Sequence, residues 1–286
     1  MNQTKIKNYI DILRPNQWYK NLLVFIAVVY SFNLFSIDKA VLSFYGFISL
    51  CILSSANYIF NDILDKKNDI NNPAKSSRPI ASGKISVGAS LIIFIFLSLS
   101  GLLTAYSLNK NFFFLGLLFL LLTSIYSIFL KKEIFVDILL IAVNFVIRAV
   151  SGALIINVYI SPWLVLCPFF LSLFLSVGKR RAEASYLGKY ASKHRNTLTY
   201  YTENITNSLI AITTAIIIIT YSFYTISAEP KLLLTLPLVL YAIFRYFYFI
   251  YTDSPIARNP ELAFKDSRLI ASLVLWALIT LIALYY

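Results

Sequence analysis

Nine apolar segments of roughly bilayer-spanning length follow one another along nearly the whole chain. A helix needs about 20 consecutive apolar residues to cross a membrane, and a soluble core could not absorb so many such segments. We therefore predict an all-α polytopic membrane protein with nine transmembrane helices in a single domain, residues 1–286. The predicted spans lie at about 18–36, 41–60, 86–108, 111–130, 134–156, 161–178, 206–228, 231–252 and 269–285.

The distribution of positive charge predicts the orientation of these spans. The formal net charge is +12, and twenty of the 25 Lys and Arg residues fall at the N-terminus or in alternate loops between spans. The positive-inside rule explains this asymmetry, so we expect no nucleic-acid partner. The same rule predicts a cytoplasmic N-terminus and a C-terminus on the outside. The polar N-terminus contains no cleavage site of small residues, so we expect no removed signal peptide.

The stretch from Asn57 to Lys84 directly follows the second apolar run and is rich in acidic and amide side chains. If the helix of that run continues, Asn57, Asn61, Asp65 and Asp69 recur every four residues and share one slowly drifting face. Their hard oxygen atoms suit Mg²⁺, which takes one or two carboxylates and fills its remaining positions with water and substrate phosphates. The predicted metal ligands are Asn61, Asp62, Asp65 and Asp69.

Positive side chains follow this acidic group at Lys75, Arg78 and Lys84. Cations repel a bare metal ion but favour a metal-bound anion, so the stretch reads as a cradle for magnesium diphosphate. A solvated loop of mixed charge between two membrane helices is the alternative interpretation.

The fifth predicted span carries Asp137, Asn144, Arg148 and Ser151 at intervals of seven, four and three residues, which places them on one helical face. A lipid-facing arginine at the depth of Arg148 would cost at least ~2.5 kcal/mol. Arg148 should therefore face a cavity, a partner or an anion. An internal ion pair, or a hydrogen-bond network between helices, is the alternative.

A second polar stripe, formed by Ser172, Ser176, Lys179 and Glu183, descends the sixth predicted span and leaves the membrane as GKRRAE. Lys179 and Glu183 would approach the acidic loop if both helices line one cavity. Membrane topology alone also places basic residues at such a helix end.

The segment LRPNQWYKN precedes the first predicted span, and its Arg14 and Lys20 flank Trp18 and Tyr19. Aromatic and basic residues in this arrangement are typical of anchoring at the lipid headgroups. In the functional alternative, Lys20 and Arg14 bind a phosphate at the membrane surface.

These blocks resemble the UbiA-type prenyltransferase superfamily, whose members have nine helices around a central cavity. NDILDKKND matches the pattern NDxxDxxxD at every fixed position. The resemblance extends to one branch, the decaprenyl-phosphate phosphoribosyltransferases, through six blocks of the sequence. The blocks are LRPNQWYKN, NDILDKKND with PAKSSRPIASG, YSIFLKK, NFVIRAVSGA, SPWLVLCPFFLSLFLSVGKRRAE and HRNTLTYY. Where the branch has D-R-x-H-P, this chain instead has Ile70, Asn71 and Asn72 after Asp69.

The resemblance implies an enzyme of the bacterial cytoplasmic membrane. Its activity would be Mg²⁺-dependent transfer of 5-phosphoribose from phosphoribosyl diphosphate to a polyprenyl phosphate lipid, with release of pyrophosphate. We expect catalytic roles for Asp65 and Asp69 of the motif and for Asp137 of the fifth span. The resemblance implies that Lys20, Lys75, Arg78, Lys131 and Arg148 bind phosphate groups. The full set of predicted substrate-binding residues is Lys20, Tyr58, Asn61, Lys75, Arg78, Lys131, Arg148, Lys179 and Glu183.

Charge supports a substrate rich in phosphate. In place of the second aspartate cluster of aromatic prenyltransferases, the sixth span ends in GKRRAE. One acidic cluster with many cations suits a sugar phosphate diphosphate and a lipid phosphate. Two alternative functions are a prenyltransferase acting on an aromatic or other acceptor, and a transporter whose Asp137, Asn144 and Arg148 line a path.

Overall fold

The structure is a computed structural model, and it describes residues 3–72, 75–188 and 196–286. All regular secondary structure in the part of the chain that is described is helical, as α-helices or 3₁₀ segments. The α-helices are α1 Gln3–Leu13, α2 Phe25–Tyr30, α3 Ile37–Ile70, α4 Val87–Leu108, α5 Lys110–Ile128, α6 Val136–Ile155, α7 Pro162–Leu187, α8 Glu203–Ala228, α9 Leu236–Tyr251, α10 Pro255–Arg258 and α11 Ser267–Tyr285. The 3₁₀ segments are Pro15–Val24, Leu130–Lys132, Asn196–Tyr200, Pro230–Thr235 and Pro260–Lys265.

Eight helical segments among the described residues are long and apolar enough to cross a membrane, by length and composition. They correspond to the predicted second to ninth spans. The first predicted span, 18–36, is not one long helix: Pro15–Val24 is 3₁₀ and only Phe25–Tyr30 is α-helical. Pro15 begins the segment without a backbone donor, and the buried amide of Asn21 donates to Cys51 Sγ at 3.2 Å. Polar side-chain contacts thus hold a stretch that hydropathy alone predicts as a regular span.

The chain divides into two compact units. The first unit comprises Met1–Lys131 with Ile147–Tyr159, and the second comprises Lys132–Val146 with Ile160–Tyr286.

In the first unit, α3 packs closely against α4 and α5 through glycines. A Cβ at Gly101 would lie 2.7 Å from Leu53 Cδ2, and one at Gly116 would lie 3.1 Å from Leu53 Cδ1. Ser49 Oγ also donates to the carbonyl oxygen of Gly101 at 2.9 Å. Small residues and hydrogen bonds of this kind replace the hydrophobic effect as the force between membrane helices.

Helix α3 is 34 residues long, or about 51 Å, whereas the hydrocarbon core of a bilayer is about 30 Å thick. The excess length carries its polar C-terminal turns beyond the apolar layer. The loop after α3 folds back onto the helix because Ile80 and Ile85 pack with Ile59 and Ile12 in one buried cluster. This packing fixes the basic loop beside the acidic end of α3.

In the second unit, α7, α8 and α9 share one apolar core that includes Phe174, Ile210 and Tyr246. Gly178 of α7 permits close contact with α9, because a Cβ there would lie 2.5 Å from Ile250 Cδ1. Arg245 of α9 forms an ion pair with Asp266, with a shortest N–O distance of 2.7 Å. It therefore has a protein partner and does not depend on lipid headgroups for one.

Candidate active site

The C-terminal half of α3 carries three aspartates whose side chains are ion-paired with cations from other segments. Asp62 and Asp69 are both 3% exposed and lie seven residues apart, so they occupy the same face of the helix. Arg78 Nη1 bridges them, at 3.0 Å from Asp62 Oδ1 and 2.7 Å from Asp69 Oδ2. Lys75 Nζ lies 3.9 Å from Asp69 Oδ1.

Arg14 approaches the same group from the segment before the first 3₁₀ stretch. Its Nη2 lies 2.5 Å from Asp62 Oδ1, and its guanidinium stands 5.0 Å from the ring centre of Tyr58. The Arg14 backbone is left-handed, with φ 50° and ψ 59°, directly before Pro15. A non-glycine residue pays roughly 1 kcal/mol or more for that conformation, so the turn that aims Arg14 at Asp62 is held by its surroundings.

Asp65 belongs to a second pair on a neighbouring face. Asn61 Nδ2 donates to Asp65 Oδ2 at 3.0 Å, and Lys131 Nζ donates to Asp65 Oδ1 at 2.5 Å. Ser127 of α5 donates to Asn61 Oδ1 at 3.1 Å. The Asp65 and Lys131 side chains are 20% and 27% exposed, so this ion pair is accessible from solvent.

The predicted ligands form two pairs: Asn61 and Asp65 contact each other at the predicted four-residue spacing, whereas Arg78 joins Asp69 to Asp62. Among the described residues, no three Asp, Glu, His or Cys side chains converge on a preformed metal position. The donor set still fits Mg²⁺, because that ion is held by one or two carboxylates and completes its shell with water and phosphate. The helix end itself adds partial negative charge near Asp65 and Asp69, which favours a cation there.

Other predicted binding residues of the first unit lie around α3. Lys20 Nζ donates to Gln17 Oε1 at 2.6 Å and stands 5.8 Å from the ring centre of Tyr19. Arg148 is 6% exposed, donates from Nε to Asn21 Oδ1 at 2.8 Å and lies 4.8 Å from the ring centre of Phe119. This geometry matches the hydrogen-bond network that was the alternative for Arg148. Its substrate-binding role stays a prediction.

Asp137, the predicted catalytic residue of the second unit, lies in a buried network with Arg180 and Tyr201. Asp137 is fully buried, and it accepts from Arg180 Nε at 2.7 Å and from the Tyr201 hydroxyl at 2.6 Å. Arg180 also donates to Glu183. Burial and the hydrogen bond to Asp137 raise the pKa of Tyr201, which therefore stays a neutral donor.

Lys179 lies at the edge of this network, 3.9 Å from Glu183. Both oxygens of Asp137 are engaged by protein donors, which is the environment of an internal anion. The catalytic role of Asp137 and the binding roles of Lys179 and Glu183 stay predictions.

Sequence reasoning missed three residues of these networks. Arg180 stood inside GKRRAE, where topology explained every basic residue, and Tyr201 lies 64 positions from Asp137. Asn21, fully buried, organises Ser54, Cys51 and Arg148 around one amide. Asn21 could have been identified from the sequence, because it is an asparagine inside the first predicted apolar span.

The fold and its polar clusters define an all-helical integral membrane protein with a cation-paired aspartate group at one helix end. A family model described as the UbiA prenyltransferase family matches residues 22–273. The chain belongs to this family, which makes it a membrane transferase.

Several relatives are decaprenyl-phosphate phosphoribosyltransferases. The protein of that name from Mycolicibacterium smegmatis is 26% identical over 95% of this chain and 90% of its own length. The one from Corynebacterium glutamicum is 28% identical over 75% of this chain and 66% of its own length.

A solved structure of a UbiA homolog from Archaeoglobus fulgidus, bound to DMAPP and Mg²⁺, has a TM-score of 0.74 to this chain. The two are 21% identical, and the match covers 96% of each chain. This likeness confirms the predicted all-α fold.

Proposed function

We propose that this protein transfers 5-phosphoribose from phosphoribosyl diphosphate to a polyprenyl phosphate and releases pyrophosphate. The observation that carries the proposal is the excess of cations at the acidic end of α3. Four positive side chains are ion-paired with three aspartates there, namely Arg14, Lys75, Arg78 and Lys131. The names of relatives that cover most of this chain support the same reaction.

The excess positive charge suits a substrate that brings several phosphate groups. Without substrate, each cation is satisfied by a carboxylate. The side chains of the cations are 23–45% exposed, whereas the side chains of Asp62 and Asp69 are only 4% exposed. The cations can thus turn towards an incoming diphosphate and 5-phosphate while the carboxylates stay in place. Each charge-assisted hydrogen bond gained in this way contributes about 1.5–3 kcal/mol.

Asp65 and Asn61, with Asp62 and Asp69 beside them, would hold Mg²⁺. The bound ion supplies positive charge for the departing diphosphate. Lys131 and Arg78 bind and orient the phosphate oxygens, so that the C1–O bond breaks as positive charge develops on the ribose. The lipid phosphate attacks C1 from the opposite face. No general base is needed, since a phosphate monoester has a second pKa near 6 and is largely dianionic at neutral pH.

The predicted topology belongs to the same proposal: a bacterial cytoplasmic membrane, a cytoplasmic N-terminus and an outside C-terminus. Pro15–Val24 as 3₁₀ and Phe25–Tyr30 as α-helix together extend roughly 30 Å, enough for a first crossing. That crossing makes nine with the eight long segments. Single cysteines introduced at Ser82 and at Tyr286 should label from opposite sides of the membrane.

The test of function is transfer by the purified protein. In nanodiscs with Mg²⁺, it should move label from phosphoribosyl diphosphate to a lipid-extractable product when a polyprenyl phosphate is present. A parallel incubation supplies a prenyl diphosphate and a phenol. Activity only in the second incubation would replace the proposal with aromatic prenyl transfer. Membership in a family described as prenyltransferases argues against transport as the function of this protein.

A further inference from the structure

Asn57 is a buried asparagine that the contacts of the active site leave unexplained. It is 4% exposed, and neither its Oδ1 nor its Nδ2 has a hydrogen-bond partner among the described residues. An unpaired buried polar group costs about 1–3 kcal/mol, and here one side chain carries both an unpaired acceptor and an unpaired donor. Such a group persists where something other than stability requires it.

Asn57 lies one turn before Asn61 on α3. Side chains four residues apart on a helix are neighbours, with Cβ atoms about 5–6 Å apart, and they lean towards the N-terminus. Asn61 contacts Asp65 and Ser127, so Asn57 stands directly beneath the Asn61–Asp65 pair on the apolar side. The amide is thus placed about 6 Å deeper along the helix axis than the proposed diphosphate position.

We propose that Asn57 binds a hydroxyl group of the pentose and makes the enzyme selective for a sugar donor over a prenyl donor. This inference rests on the proposed function. A carboxamide with both a donor and an acceptor to satisfy is complementary to a hydroxyl, which offers both. Phosphate oxygens of a fully ionised group only accept, and an isoprenoid chain does neither. The ribose is bonded directly to the diphosphate. A ribose hydroxyl can therefore reach the depth of Asn57 when the diphosphate lies at its proposed position.

Selectivity follows from the cost of leaving the amide unpaired. A site built to hydrogen-bond a substrate hydroxyl rejects an analogue that lacks it, because its own polar groups then stay buried without partners. A prenyl diphosphate presents only apolar carbons at Asn57. The residue therefore disfavours the prenyl donor as well as favouring the sugar.

The experiment compares the full-length protein with Asn57→Leu, a near-isosteric apolar replacement. Each is assayed with phosphoribosyl diphosphate and with analogues lacking the 2- or 3-hydroxyl, and its melting temperature is measured without donor. The parent should prefer the natural donor over one deoxy analogue by roughly tenfold or more. Asn57→Leu should lose about tenfold in kcat/KM for the natural donor, so that it uses the natural donor and that deoxy analogue equally well. It should also melt at a higher temperature than the parent.

Ser98→Ala is the matched control, since the Ser98 hydroxyl on α4 is likewise buried without a partner among the described residues. It should leave the donor preference unchanged. An unchanged preference in Asn57→Leu would overturn the inference. So would a lower melting temperature with equal losses for all donors, which indicates a structural amide satisfied by bound water. If the parent itself transfers no phosphoribose, the proposed function fails first, and that result is distinct from either of these.

Discussion

Two groups of acidic and basic side chains, one in each unit, differ in how their charges are shared. At the end of α3, Arg14, Arg78 and Lys131 are 23–27% exposed, and Arg78 alone is divided between Asp62 and Asp69. In the second unit, Asp137 is fully buried and Arg180 is 10% exposed. Tyr201 is 2% exposed and donates a hydrogen bond to the Asp137 carboxylate of this ion pair.

This difference in burial suits the ion pairs at the end of α3 to ligand binding and suits the Asp137 network to stabilising the fold. Exposed cations on flexible stems contribute little to stability and can exchange one anion for another. A fully desolvated carboxylate is costly unless every partner stays in place. Substitutions in the first group should therefore change activity more than stability, and substitutions in the second should do the reverse.

The largest expected effect is loss of transfer in Asp65→Asn. The amide keeps the shape of the side chain but removes the charge that pairs with Lys131 and that would bind Mg²⁺. We expect transfer to fall roughly a thousandfold, or about 4 kcal/mol in activation free energy. The measurement is steady-state transfer at saturating Mg²⁺, with the unfolding transition recorded beside it.

Asp38→Asn provides the control for that substitution, because Asp38 is an exposed carboxylate in the first turn of the same helix. It should retain parental activity. Normal transfer by Asp65→Asn would refute the metal role of the α3 aspartates.

The next effect is on stability, in Asp137→Asn. Removing the charge leaves the Arg180 guanidinium beside a neutral amide, with Glu183 as its carboxylate partner, and should lower the free energy of unfolding by about 3 kcal/mol. Denaturant titration in mixed micelles measures this change. If Asp137→Asn is as stable as the parent while transfer is lost, Asp137 is catalytic and the contrast between the two groups fails.

The sequence predicted the fold class and the acidic end of α3, because hydropathy and a short motif are local patterns. NDILDKKND marked all three aspartates that the structure surrounds with cations. The motif did not predict their pairing, since Arg78 reaches Asp62 and Asp69 from a loop that Ile80 and Ile85 pack against α3. Arg180 and Tyr201 meet Asp137 through tertiary packing. No residue spacing in the sequence predicts these contacts.

The first predicted span is not one regular α-helix, for a related reason. Hydropathy counts apolar residues, but the segment Pro15–Val24 is 3₁₀ and contains the buried Asn21. Asn21 is fixed by side chains from α3 and α6, which lie 30 and 127 positions away. The composition around Asn21 therefore cannot predict these contacts with Cys51 and Arg148.

A smaller effect is expected for Arg78→Lys. Lysine keeps the positive charge but lacks the planar fork that lets one guanidinium bridge two carboxylates or grip a phosphate with two parallel bonds. We expect about a tenfold rise in KM for the sugar donor with little change in unfolding. The conservative change at the second group, Arg180→Lys, should instead lower stability and serves as the contrasting measurement.

The smallest effect is the contribution of Tyr201, which distinguishes the buried group by its pH dependence. Tyr201→Phe removes the hydrogen bond to Asp137 and should cost about 1 kcal/mol of unfolding free energy near neutral pH. Burial, with the Asp137 hydrogen bond, raises the pKa of Tyr201 above its ordinary value near 10. The contribution of the phenol is thus complete below about pH 10 and is lost as the pH rises towards the folded-state pKa, because only the unfolded chain then ionises. Denaturant unfolding at about pH 8 and pH 11 should show the parent losing stability relative to Tyr201→Phe at the higher pH. An equal difference at both values would mean that the phenol is solvated, and the second group would then resemble the first.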